Sequence, residues 1–118
     1  MSKIYLAGHS GPEHNYVEGV YRNYDDAHKA FEKLRLDLLR AAKEGLKWSI
    51  KDAKESLKRG KWFDGRKYDK DSIKYFKKLA AHGSEMYKEI IKRLQEKDPK
   101  KIDNYPQETP YITEMELK

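Results

Sequence analysis

A long series of apolar residues, each three or four positions after the one before, occupies the middle of this sequence between Asn23 and Gly60. This spacing places the apolar residues on one face of an α-helix, because the helix makes one turn in about 3.6 residues. Asn23 is a good N-cap, and acidic residues follow it in the first turn, where the helix dipole favours negative charge. The pattern predicts a single helix over residues 24–59, about 50 Å long. The apolar stripe comprises Ala27, Phe31, Leu34, Leu38, Ala42, Leu46, Ile50, Ala53 and Leu57.

A second apolar stripe predicts another helix over residues 71–97, which Pro99 ends. The two helices are separated by a turn region rich in glycine and aspartate, so we expect them to run antiparallel. Gly45 and Gly83 lie at similar distances from this turn. They either meet across the helix pair or mark a local kink, and the sequence leaves both interpretations open.

Alternating apolar and polar residues predict strands on both sides of the helices. Residues 1–22 are expected to form a β-hairpin around the loop GHSGPEHN, and residues 110–117 a third strand that pairs with it. The predicted fold class is α+β, in the order ββααβ, with a small antiparallel three-stranded sheet and a long antiparallel helical hairpin. A chain of 118 residues predicts a single domain, 1–118.

The composition excludes several classes of protein. The absence of cysteine excludes a disulfide scaffold and thiolate chemistry, and fits the cytoplasm. Residues 1–20 contain no apolar run typical of a signal peptide. The sequence also has no uninterrupted stretch of about 18 apolar residues, so we expect no membrane partner. No nucleotide-binding, metalloprotease or EF-hand motif occurs. We therefore predict a protein that is not an enzyme and has no cofactor and no metal.

The histidine-containing loop admits more than one interpretation. GHSG does not match the G-x-S-x-G turn of serine hydrolases. His9, Glu13 and His14 are metal-ligating types, but a loop holds three ligands poorly, so a solvated loop is the alternative. The small residues near Ser10 also suit an anion-binding nest of backbone N–H groups.

Positive charge is concentrated in the helical part of the sequence. From Arg40 to Lys78 there are 14 basic and 6 acidic residues, a balance of +8, against +6 for the whole chain. Aromatic residues beside cations suit nucleic acids, because cations neutralise phosphates while rings stack on bases. The alternative is a solvated helical surface. We call the cluster at the predicted turn the basic tip, which comprises Lys58, Arg59, Lys61, Trp62, Arg66 and Lys67.

A second candidate site lies where the sheet meets the helices. The segment NYPQETPYIT has polar groups, two tyrosines and a proline-stiffened backbone, which suit a small polar ligand, although an ordered return loop is the alternative. The candidate ligand-binding residues are His9, Ser10, Arg22, Tyr105, Thr109, Tyr111 and Thr113. Long helices with exposed stripes also predict a homo-oligomer.

The segments KIYLAGHSGPEHNYVEGVYRNYDDAHKAFEKL and PYITEMEL resemble small proteins of bacteriophages and mobile elements, and in particular the Thoeris anti-defence signal-sponge family. The resemblance implies an oligomeric, non-enzymatic protein of the host cytoplasm that sequesters a cyclic nucleotide or an NAD-derived small molecule. Phosphate would then be held by Arg22, Arg35, Arg93 or the basic tip. The alternative function is a nucleic-acid-binding or anti-CRISPR-type inhibitor that acts on nucleic acid or a host defence protein through the basic tip.

Overall fold

A computed structural model describes residues 2–11, 15–102 and 109–117. Its elements are β1 (Ser2–Ser10), β2 (Asn15–Tyr21), α1 (Tyr24–Arg59), α2 (Lys70–His82), α3 (Glu85–Leu94) and β3 (Thr109–Leu117). The sheet and helices confirm the predicted α+β class. The chain falls into two compact units: the sheet unit, up to Arg40 and from Lys92 onward, and the helical unit, Ala41–Ile91. That the chain is a single domain stays a prediction.

The sheet is antiparallel and has the order β2-β1-β3. Strand β3 pairs with β1 along its whole length, from Ser2 opposite Leu117 to Ser10 opposite Thr109, which confirms that residues 110–117 pair with the hairpin. The predicted hairpin loop was too long. Gly8, His9 and Ser10 belong to β1, because both neighbouring strands pair with them.

A β-bulge interrupts the pairing of β1 with β2. Ala7 pairs with Gly19 and Gly8 with Val17, so Glu18 is an extra residue in β2. A bulge redirects the side chains around it. Here the Oε1 atom of Glu18 lies 3.1 Å from Nε2 of His9 on the neighbouring strand.

One face of the sheet packs against the first part of α1. Tyr5 meets the ring of Tyr24 edge-on, with ring centroids 5.7 Å apart, and Ala7 is fully buried. Phe31 is the largest of the fully buried side chains in this part of α1. The opposite face is more open, since Val20 and Met115 are about half exposed. Within the described residues, the largest buried side chain of α1 therefore packs on the face of the sheet that carries Tyr5 and Ala7.

Local contacts explain where α1 begins and how its buried arginine is held. The Oδ1 atom of Asn23 accepts a hydrogen bond from the Asp26 N–H at 2.9 Å, which confirms the predicted N-cap. Arg35 is only 4% exposed; it donates to both oxygens of Glu32 and, at 2.6 Å, to the Leu94 carbonyl. This hydrogen bonding lowers the pKa of Glu32 and raises the pKa of Arg35. Arg35 therefore ties α1 to the end of α3.

The prediction of one helix over residues 71–97 was wrong, because Gly83 breaks it into α2 and α3. Gly83 has φ +77° and ψ −177°, a conformation nearly restricted to glycine. A Cβ on Gly83 would collide with Leu46, whereas Gly45 lies against the ring of Tyr87. Gly83 therefore marks a kink, and each glycine gives room to a side chain across the pair: Gly83 to Leu46 and Gly45 to Tyr87. The helical hairpin is thus shown only in part, in the order ββαααβ.

Replacing Gly83 with alanine should lower the free energy of unfolding by about 2–4 kcal/mol, from backbone strain together with overpacking. The matched control is Gly60→Ala. Gly60 also has positive φ, but it has no atom near its missing Cβ, so only strain applies. Urea denaturation followed by circular dichroism measures both. Equal losses in the two variants would show that Leu46 does not constrain Gly83.

Candidate functional site: a pocket beside β3

A cavity of about 280 Å³ lies beside the first half of β3, within the sheet unit. We call it the β3 pocket. Its wall combines residues from all three strands with two from the segment that follows α3. The lining residues are Ser10, Asn15, Pro99, Ile102, Thr109, Pro110, Tyr111 and Thr113.

Strand register brings three polar residues into one row across the sheet. Ser10 pairs with Asn15 on one side and with Thr109 on the other. Residues directly opposite each other in antiparallel strands place their side chains on the same face. Two hydroxyls and an amide therefore line one wall, although their positions in the sequence are far apart.

Beside this row, the side chain of Tyr111 reaches from β3 over β1 to β2. It pairs with Gly8, and its hydroxyl donates a hydrogen bond of 2.5 Å to Oδ1 of Asn15 in β2. A Cβ on Gly8 would lie 2.8 Å from this hydroxyl and would also collide with the Tyr16 carbonyl oxygen. Gly8 is therefore required for the close approach that places the Tyr111 ring in the pocket wall.

The lining of the β3 pocket is polar but uncharged. Pro99 also lines a neighbouring cavity of about 270 Å³, whose wall contains Lys100, Tyr5 and Glu114. Because the two cavities share Pro99, Lys100 lies next to the β3 pocket without lining it. Hydroxyls and amides recognise sugar hydroxyls and base edges, whereas phosphate recognition generally uses cations or backbone N–H groups.

The structure brings together only some of the predicted ligand residues. Ser10, Thr109, Tyr111 and Thr113 line the β3 pocket. His9, on the adjacent position of β1, contacts Glu18 and the ring of Tyr16 instead. Tyr105 lies outside the described residues.

Arg22 is at the other end of the sheet. It lines a separate cavity with Ser2, Lys3, Ile4 and Leu117. Ser2 and Ser10 are eight positions apart on β1, or roughly 26 Å for a fully extended strand. The structure therefore does not bring Arg22 to the β3 pocket. The sequence suggested Arg22 as a source of positive charge for a phosphate, without a strand register to place it on the sheet.

The other proposed cations have different surroundings. Arg35 is engaged by Glu32 and the Leu94 carbonyl, and Arg93 lies in the last turn of α3. Among the residues that the structure describes, no group of three histidines or acids could hold a metal ion. Glu13 and His14 lie outside that part of the chain, so the loop interpretation stays open.

The basic tip forms a small ordered hairpin in the helical unit. Lys61 and Lys67 form an isolated antiparallel bridge, and the Trp62 N–H donates to the Arg66 carbonyl at 2.7 Å. The ring of Trp62 packs edge-on against Tyr68, with centroids 4.7 Å apart. An aromatic cluster thus fixes the base of the basic tip.

Two arginines of the basic tip are held by local contacts. Arg59 donates to the Lys61 carbonyl at 2.8 Å and to the Tyr68 hydroxyl at 2.9 Å, while its guanidinium lies 4.3 Å from the ring centroid of Phe63. Arg66 pairs with Asp64 at 2.7 Å. Phe63 is 92% exposed at the end of this hairpin. The basic tip therefore presents an exposed ring stacked on a positioned cation.

Comparison with protein-family models, curated proteins and solved structures gives no significant match to this chain. The class is therefore defined by the fold alone: an α+β protein with a three-stranded antiparallel sheet. Within the described ranges, no helix combines the length and the apolar character needed to cross a bilayer.

Proposed function

We propose that this chain is a non-catalytic binding protein that sequesters a small nucleotide-type signal in the β3 pocket. The observation that carries the proposal is the convergence of Ser10, Thr109, Tyr111 and Thr113 on one cavity. Ser10, Tyr111 and Thr113 come from the two segments that resemble phage counter-defence proteins, and Thr109 directly precedes the second segment. Sequestration of a host immune signal is the function that this resemblance implies, and it requires the protein to be in the host cytoplasm.

The chemistry of the pocket suits the nucleoside part of such a ligand. Ligand pockets usually measure about 300–1,000 Å³, so this cavity is near the lower limit. The hydroxyls of Ser10 and Thr109 suit ribose or a base edge, and the ring of Tyr111 offers an apolar wall. A cyclic nucleotide would place its phosphate outside the neutral wall, where Lys100 is the adjacent cation.

A second copy of the chain is the partner we propose for the open face of the sheet. Val20, Met115 and Leu117 are about half exposed there, and contiguous apolar surface is typical of interfaces. In a two-fold symmetric dimer, each copy would bury this face against the same face of the other copy.

Native mass spectrometry after exposure to a nucleotide-rich extract, followed by calorimetric titration with cyclic ADP-ribose and cyclic dinucleotides, tests this function. We expect an oligomer that retains a mass of nucleotide size. A monomer without an adduct, together with no heat of binding for any of these probes, would contradict the proposal.

Filling the β3 pocket should weaken binding at least about tenfold. Thr113 is exposed and lines the pocket, so Thr113→Trp should place a large ring in the cavity with little effect on folding. Glu116→Trp is the matched control, because Glu116 is exposed on the opposite face of β3, outside the proposed interface, and does not line the pocket. Equal affinities of the two variants for the ligand would show that it does not bind in the β3 pocket.

A further inference from the structure

Four lysines occupy one exposed face of α1 in the helical unit. Lys47, Lys51, Lys54 and Lys58 follow one another at steps of four, three and four, and they line a groove of about 340 Å³ with Ile50 and Glu55. We call these lysines the lysine face. Successive members are about 5–6 Å apart along the helix. The lysine face ends at Lys58, which also belongs to the basic tip.

The charges of the lysine face are available to a ligand. Across the described part of the chain, no carboxylate forms a salt bridge with Lys47, Lys54 or Lys58. Glu55 is the one acid among the residues that line the groove. A row of cations without carboxylate partners is unfavourable for folding by self-repulsion, and it suits a polyanion.

Exposed aromatic rings lie at both ends of this row. Trp48 is 65% exposed, and Nζ of Lys51 lies 5.2 Å from its ring centroid. At the basic tip, Phe63 is 92% exposed with the Arg59 guanidinium against its ring. Large apolar rings normally avoid water, so two that are exposed beside cations indicate a surface for stacking.

We propose that the lysine face and the basic tip bind single-stranded nucleic acid. The lysines would neutralise consecutive phosphates, and Trp48 and Phe63 would stack on unpaired bases. Duplex bases are already stacked on one another, so the exposed rings favour a single strand. This surface contains none of the residues of the β3 pocket, and the inference does not depend on the function proposed for that pocket.

Fluorescence anisotropy with a labelled oligothymidylate of about 20 nucleotides tests the proposal across a salt series. Four phosphate contacts on a single strand predict a slope of log K against log salt of about −2.8, so affinity should fall about 50-fold between about 50 and 200 mM salt. A duplex of equal length should bind more weakly. Thr113→Trp should leave oligonucleotide binding unchanged.

The decisive variant is Lys54→Gln with Lys58→Gln. It should weaken binding about tenfold at low salt and halve the salt slope. The matched control is Lys29→Gln with Lys33→Gln, which removes the same charge at the same spacing on α1, in the sheet unit. An equal loss in the control pair would show attraction by net charge only and would overturn the proposal.

The stacking part of the proposal has its own variant. Trp48→Ala should weaken single-strand binding about tenfold and change duplex binding little. Tyr75→Ala is its control, since Tyr75 is exposed on α2 and outside the lysine-face groove. The proposal of single-strand binding would be overturned by any of three results. These are an unchanged affinity of Trp48→Ala, a lack of oligonucleotide binding at low salt, and binding to vesicles of anionic lipid alone.

Discussion

Arg35→Leu should lower the free energy of unfolding by about 3–5 kcal/mol, a large part of the stability of a small protein. Arg35 is almost fully buried, and its guanidinium is the donor both to Glu32 and to the carbonyl of Leu94. Leucine keeps most of the apolar stem but leaves the carboxylate and the carbonyl without their donor. The loss is costly chiefly at the buried Leu94 carbonyl, which would stay desolvated without a donor, while the part-exposed Glu32 carboxylate would lose its ion pair. Urea denaturation measures the change.

Arg40→Leu is the matched control for this variant. Arg40 also faces an acid three positions earlier, Asp37, at 3.8 Å, but both side chains are exposed. Exposed pairs contribute between about 0 and 1 kcal/mol, so the control should be close to the unsubstituted protein. Similar losses for Arg35→Leu and Arg40→Leu would show that the Leu94 contact does not stabilise the fold.

The same pair predicts the sign of a pH effect. The Arg35 hydrogen bond lowers the pKa of Glu32 from its ordinary value of 4.5. A lowered folded-state pKa gives stability that is fully present above the unfolded value and is lost as the pH falls through the folded value. The difference in stability between the unsubstituted protein and Arg35→Leu should therefore be constant near neutral pH and shrink below pH 4.5.

Phe31→Ala should lower the free energy of unfolding by a similar amount, about 3–5 kcal/mol. Phe31 is fully buried in α1, and its ring lies 5.8 Å from the ring of His28. Most other buried apolar residues of the described chain are alanines, so few large side chains share the packing. The loss combines the transfer of the ring into water with the cavity that it leaves. Thermal and urea unfolding measure the effect.

Leu36→Ala provides the comparison, since Leu36 lies on the same helix but is about half exposed. Its loss should be below about 1 kcal/mol, because little of the side chain leaves water on folding. Phe31→Leu should fall between the two variants, since it keeps part of the volume. If Phe31→Ala and Leu36→Ala were equally stable, the core of the sheet unit would not lie around Phe31.

The sequence predicted well the elements whose signals are local. The α1 helix occupies residues 24–59 as its stripe and its Asn23 cap indicated, because periodicity and capping act within a few residues. The three strands were also located from alternation. The error at Gly83 has a different origin, since glycine inside a helical pattern fits a close approach or a break equally well. The surroundings of Gly83, including Ser49, which accepts the Ser84 N–H at 3.1 Å, are distant in sequence.

The candidate site was predicted only in part, because its walls depend on long-range pairing. Ser10, Thr109, Tyr111 and Thr113 were identified by polarity and by the expected meeting of sheet and helices. Asn15 was treated as a turn residue, and its bond to Tyr111 spans 96 positions. Pro99 was noted only as a helix terminator, and nothing local signals Ile102. Arg35 was considered for ligand charge, although its periodicity alone does not reveal that Leu94 accepts its hydrogen bond.

The central position of β1 has a consequence for the order in which this protein is made and folded. Tyr5 pairs with Glu114, 109 positions later, so closing this pairing costs about 4 kcal/mol of chain entropy. A ribosome adds about 5–20 residues per second. For roughly 5–20 s, therefore, nascent β1 has β2 on one side and an unpaired edge on the other. Unpaired strand edges recruit other chains, so aggregation during synthesis should depend on how quickly β3 is delivered to that edge.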